Sequence, residues 1–178
     1  IKKDAKYTYY PNYKKTNNLH TLLYSKKELN QSSLCLFSDV IFDKKILVNL
    51  IKSKQDIVLA VDKKSRLKNT MRVKIKNSCI TDIGNHVKTQ YCDGNFTGLA
   101  KFSSKGSKII KKELEKYKNS NFNEYYTFIF NDLAKKKCIK YVDVSKFLWK
   151  EIDTKSDYLK ARKIYKIISK KNDKTNLN

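Results

Sequence analysis

Residues 56–61 read Asp-Ile-Val-Leu-Ala-Val, an apolar run opened by one acid and closed by Asp62. A strand with no polar alternation is one covered on both faces, as in sheets sandwiched between helices. Upstream, Ser33–Phe37 is a second apolar run that halts at Ser38-Asp39, the pattern of a buried strand ending at a loop. Phe42–Ile51 has helical spacing. Lys6–Tyr10 reads as a short strand stopped by Pro11-Asn12, and Thr16 or Asn17 can cap a helix carrying Leu19, Leu22, Leu23 and Leu29.

Downstream, Met71–Ile75 alternates, and Cys79–Ile83 pairs with it as a hairpin. Gly84, Gly94, Gly98 and Gly106 follow, so the backbone needs unusual dihedrals or close approach there. Lys105–Tyr117, Glu124–Lys135 and Ser156–Ile168 read as helices, the last with Leu159, Ile164, Tyr165 and Ile168 inward, and Ile139–Val144 reads as a strand. This alternation predicts an α/β fold with helices on both faces of a sheet. There is neither repeat nor linker, so residues 1–168 form one domain and 169–178 a frayed tail.

The chain of 178 residues carries 40 Lys+Arg against 17 Asp+Glu, a formal charge of +23. Only Arg66, Arg72 and Arg162 are arginines. Base readout and bidentate phosphate grips favour arginine, whereas lysines spread along the whole chain match AT-rich codon usage. Nucleic acid is therefore expected to bind non-specifically and in a salt-sensitive way. No stretch approaches the roughly 18 apolar residues of a membrane span. Cys35, Cys79, Cys92 and Cys138 stand singly, without metal-ligand spacing. They read as small core hydrophobes in a reduced, cytoplasmic setting.

Ligands of open α/β sheets bind beyond the carboxyl ends of strands. That makes Asp39 a candidate ligand for a divalent cation over bound phosphates, with a helix N-cap (Asp39 or Asp43) as the plainer reading. The second candidate is Trp149-Lys150-Glu151-Ile152-Asp153-Thr154, where Asp153 either joins Asp39 on one Mg²⁺ or caps the last helix. His20 and His86 read as surface or satisfied histidines without acidic partners.

Asn12–Leu19, Phe37–Asp43, Met71-Arg72-Val73, Asp93–Leu99 and Trp149–Thr154 together resemble, in order and spacing, the small-molecule nucleotidyltransferases. The resemblance is nearest to CTP:phosphocholine cytidylyltransferases and the cytidylyltransferases of phosphonate pathways, and covers residues 5–168. It implies a Rossmann-like three-layer α/β/α fold with a mixed sheet and a Mg²⁺-dependent transfer of NMP, from CTP or another NTP, to a small phosphorylated or phosphonate acceptor. It also implies Asp39 and Asp153 as Mg²⁺ ligands and Arg72 as a phosphate contact. Thr16, Asn17 and Asn18 would lie at the nucleobase, and Gly98 and Leu99 in the acceptor pocket. Trp149, Tyr158 and Phe96 are aromatics to receive an acceptor amine. Asn95 stands where the resemblance leads one to expect Glu. The family's opening strand and Gly-rich triphosphate loop have no match, so the chain reads as N-terminally truncated, with a buried-type strand left at a sheet edge. The alternative readings are a basic nucleic-acid-binding module and an inactive remnant.

Overall fold

The computed structural model describes residues 5–175, with side chains through Lys170. The apolar run at 57–61 does lie at the centre: β3 (Ile57–Asp62) is buried at its first five positions. Ile57, Leu59 and Val61 face one core, while Val58 and Ala60 face the other. The first core is closed by α1 (Asn18–Tyr24), α3 (Ser104–Glu115) and α4 (Phe128–Ala134). The second is closed by Ile46 and Leu50 of α2 (Lys44–Lys52). The result is three layers, helices on both sides of one sheet.

That sheet has six strands. β4 (Arg72–Lys76) and β5 (Cys79–Gly84) form the expected hairpin, and the order runs β5-β4-β6-β3-β7, with β6 at Gly94–Phe102 and β7 at Lys140–Asp143. Only β3 and β7 are parallel; the other pairs are antiparallel, so the sheet is mixed. β6 is long and fully buried, and pairs with β3, β4 and β1 (Ser33–Leu36). Gly106 lets α3 lie directly on β3, because a Cβ there would sit 1.9 Å from the carbonyl oxygen of Asp56. A separate two-stranded arm joins β2 (Val40–Phe42) to β8 (Trp149–Glu151), and α5 (Lys155–Thr175) leaves from it.

Several local expectations are corrected. Residues 6–10 form no strand, and Tyr7 and Tyr9 stay exposed. β1 is an edge strand rather than a fully covered one: it pairs on one side only, and Leu34 and Leu36 face solvent. α4 starts at Phe128, later than its sequence spacing indicates. On α5, Ala161 and Ile168 turn inward, whereas Leu159 and Tyr165 are exposed. The helix continues through Thr175, and 176–178 lie outside the described residues.

Cys79 and Cys138 form a disulfide tying β5 to the approach of β7, beside the Ile80–Ile139 bridge. Only Cys35 and Cys92 are free thiols packed in or against the core. Spacing could not show this pair, because strand order rather than sequence brings the two residues together.

Candidate active site

The loop after β1 and the end of β8 meet because their backbones pair. In the arm, Val40 sits opposite Glu151, and the Ile152 amide donates to the Asp39 carbonyl at 2.8 Å. Carboxylate oxygens of Asp39, Glu151 and Asp153 consequently lie within 4.8 Å of one another. Asp39 and Asp153 are exposed and Glu151 is half-buried. Burial, then the charges of Asp153 and Asp39, push the Glu151 carboxyl up to about 7. The N-cap of α2 is Asp43, whose carboxylate accepts from the Lys45 amide at 2.9 Å, so Asp39 is left free of that task.

Beside the three acids opens a cleft of about 390 Å³. Asn18 and Thr21 of α1 form one wall, Leu36, Phe37 and Ser38 the second, and Asn69, Thr70, Met71, Asn85 and Tyr125 the third. The acids are steadied from behind. Lys150 pairs with Asp157 at 2.7 Å and donates to the Glu151 carbonyl at 2.6 Å. Hydrogen bonds from Lys150 and Thr154 hold Asp157 down at about 2.

The geometry is that of a known fold. Over 88% of this chain it superposes on an inositol-1-phosphate CTP transferase from T. maritima, with TM-score 0.71, 20% identity and 62% of that chain covered. A CTP:phosphocholine cytidylyltransferase from Streptococcus pneumoniae matches 88% of the chain and 67% of its own length, at TM-score 0.65 and 17% identity. A UDP-glucose pyrophosphorylase matches 85% and 62%, at TM-score 0.65 and 14% identity. The chain has the nucleotidyltransferase fold. It spans about three fifths of the length of the first of these proteins. No family model matches the sequence, and no curated protein does.

Within this nucleotidyltransferase fold, the residues predicted for the site divide sharply. Asp39, Asp153 and Asn18 line the cleft. Thr16 and Asn17 do not: Thr16 bonds to Tyr10 and the Asn12 carbonyl, and Asn17 caps α1 and reaches the Asn123 carbonyl. Arg72 is buried, its guanidinium donating to the carbonyls of Leu67, Lys68, Thr70, Asn85 and Val87. Those bonds shape the third wall and commit the guanidinium to the protein's own loops. Asn95 grips the same loop through both the amide and the carbonyl of Leu67, and through Thr70. A short neutral amide suits that place, where a longer acid would leave a buried charge.

Gly98 and Leu99 are buried in β6, and Leu99 belongs to the second core. Gly98 acts on the cleft indirectly: its φ is +82°, its carbonyl accepts from the Phe37 amide at 3.0 Å, and the Phe37 ring fills the space a Cβ would take. Trp149 packs on the second core and donates its indole N–H to Asp62 at 3.0 Å. Phe96 is core, edge-on to Phe37. Tyr158 lines a different hollow, on α5. His86 does have an acidic partner, Asp82 at 2.7 Å, and His20 is buried against Phe122 with its Nε2 on the Ser120 carbonyl.

Sequence reasoning missed Glu151, Thr21, Phe37 and Tyr125. Glu151 had a signal: two positions before Asp153 on an extended segment, it points to the same side. For the others the cleft had to be seen, since three distant segments supply them.

Proposed function

We propose that the chain is the acid-bearing part of a nucleotidyltransferase that transfers NMP from an NTP, CTP first, to a phosphorylated or phosphonate small molecule. The observation that carries this is the convergence of Asp39, Glu151 and Asp153 beside a polar-walled cleft in a nucleotidyltransferase fold. The donor set fits Mg²⁺: all ligands are hard carboxylate oxygens, and the raised Glu151 carboxyl marks a place short of positive charge. Bound there, Mg²⁺ would neutralise phosphate charge as it develops.

The remaining chemistry falls to the chain's own groups. An oxygen of the acceptor attacks the α-phosphorus, the bond to the bridging oxygen of the β-phosphate breaks, and pyrophosphate leaves. The attacking oxygen is already anionic, so no general base is required and positioning dominates. Asn18, Thr21, Asn69 and Asn85 offer amide and hydroxyl groups to base, ribose or acceptor. Phe37 and Tyr125 are the aromatics at the cleft, and supply the cation–π contact for an acceptor amine. The CTP choice rests on two neighbours that are CTP-using enzymes by description.

The first test is metal binding by the chain itself. Mn²⁺ followed by electron paramagnetic resonance should occupy one site, be displaced by Mg²⁺, and be lost in Asp153→Ala. The second is pyrophosphate release from CTP, UTP, ATP and GTP with phosphocholine or an aminoalkylphosphonate, with and without EDTA. It is run on the chain and on the chain extended by a Gly-rich opening segment. Turnover surviving EDTA, or unchanged in Asp153→Ala, overturns the reading.

A further inference from the structure

A second concavity lies on the far side of the arm. It is a hollow of about 440 Å³ between Ile41 and Ile152 of the arm region and Tyr158, Ala161, Arg162 and Tyr165 of α5, with Lys166 at its rim. Tyr158 and Tyr165 are each more than half exposed, as are such apolar neighbours as Leu159. Exposed aromatic and aliphatic groups around one concavity mark an interaction site rather than ordinary surface.

The charged residues that line it, Arg162 and Lys166, are both basic. Lys155, Lys160, Arg162, Lys163, Lys166 and Lys170 decorate α5, and none of them makes an ion pair among the described residues. The helix's acid at Asp157 is consumed by Lys150 and Thr154. Arg162 and Lys166, four positions apart, stand on one helix face, and Arg162 rests over the Tyr158 ring. The occupant must therefore be acidic and must also have an apolar side.

Shape selects among acidic partners. Tyr158 and Tyr165 are seven positions apart, about 10 Å along the helix, too far to sandwich one nucleobase. A concave, largely aliphatic floor gives a phosphate backbone nothing to bond, and a lipid surface lies against flat or convex faces. An amphipathic helix fits both features, with side chains one or two turns apart filling the hollow and carboxylates meeting the cations. We propose that the hollow between the β2–β8 arm and α5 is a docking site for an acidic amphipathic helix of a protein partner. The proposal is independent of the metal site and of the transfer reaction.

The probe is a synthetic peptide of about sixteen residues, long enough to hold a helix, with Leu at i, i+3, i+4 and i+7, Glu at the positions flanking them and Ala elsewhere. Binding to the full chain is read by calorimetry. The peptide should bind, and Arg162→Glu/Lys166→Glu should weaken it at least about tenfold. The same charge reversal at Lys108 and Lys112 of α3 should leave it within about twofold. A Lys-for-Glu peptide should prefer the reversed variant. Tyr165→Ala, at an exposed position that cannot unsettle the core, should weaken binding several-fold, and a scrambled peptide should bind as weakly. Absence of binding, indifference to the α5 reversal, or equal binding of the scrambled peptide overturns the proposal. So does tighter binding, through the same residues, of oligouridylate or of phosphatidylserine vesicles.

Discussion

The amide of Ile152 donates to the carbonyl of Asp39 at 2.8 Å, and this bond continues the β2–β8 pairing to hold the loop after the first strand against the acids near the chain's last helix. Together with the β2–β8 pairing beside it, this bond fixes Asp39 relative to Glu151 and Asp153. Ile152→Pro removes the donor at the end of the arm. The variant should stay folded at a cost of about 1 kcal/mol. Its Mn²⁺ affinity should fall about tenfold, as the three acids lose their common geometry. Electron paramagnetic resonance titration beside a urea melt separates the two effects.

Glu151 gives a pH dependence with a definite sign. Its carboxyl is raised from 4.5 to about 7 by burial and the neighbouring acids, so the folded chain prefers it protonated. That contribution is complete below 4.5 and is lost as pH rises through about 7. Relative to Glu151→Gln, the natural chain should lose about 1–2 kcal/mol over this window, solvent screening reducing the full value. Thermal melts of both from pH 4 to 8, with saturating Mg²⁺ abolishing the difference, check it.

Arg72 predicts a structural rather than a catalytic loss. Its guanidinium satisfies carbonyls of the 67–70 and 85–87 segments from a buried position. Arg72→Ala should cost about 2–4 kcal/mol by orphaning several of them, and Arg72→Lys should recover only part, since an ammonium lacks the fork. Hydrogen exchange should quicken across 67–70 and 85–87 in both.

Gly98→Ala tests the support of the cleft wall. At φ +82°, a Cβ would sit 2.7 Å from the Phe37 ring. Strain and overlap together should destabilise by about 2–4 kcal/mol. Nuclear magnetic resonance shifts should move at Phe37 and Asp39 while those of α4 stay in place.

How legible the chain is depends on how local each cause is. The run at 57–61 declares a strand covered on both faces, and the alternation at 71–75 declares a hairpin, whose turn the structure closes with positive φ at Asn77 and Ser78. Those causes are side-chain periodicity and turn stereochemistry, which act within a few residues. Asp39 follows β1 of the main sheet as its sequence position indicated, whereas Asp153 follows β8 of the separate arm, so the two acids come together, but not at the edge of one sheet. Residues 6–10 have strand-like composition but no neighbour to pair with, and β-propensity alone does not hold a strand.

Tertiary structure alone decided which polar residues are free to act. Arg72, Asn95 and Trp149 have the chemistry of binding groups, yet each spends its hydrogen bonds on the protein's own loops or on Asp62. Glu151, Phe37 and Tyr125 reach the cleft because pairing of β2 with β8 and packing of α1 over the sheet bring distant segments together. The Cys79–Cys138 bond likewise depends on where β5 and β7 lie. Sequence fixes periodicity, turn chemistry and charge, which are sums over neighbours. Whether a donor is already satisfied depends on partners far away in the chain, and only the folded contacts supply them.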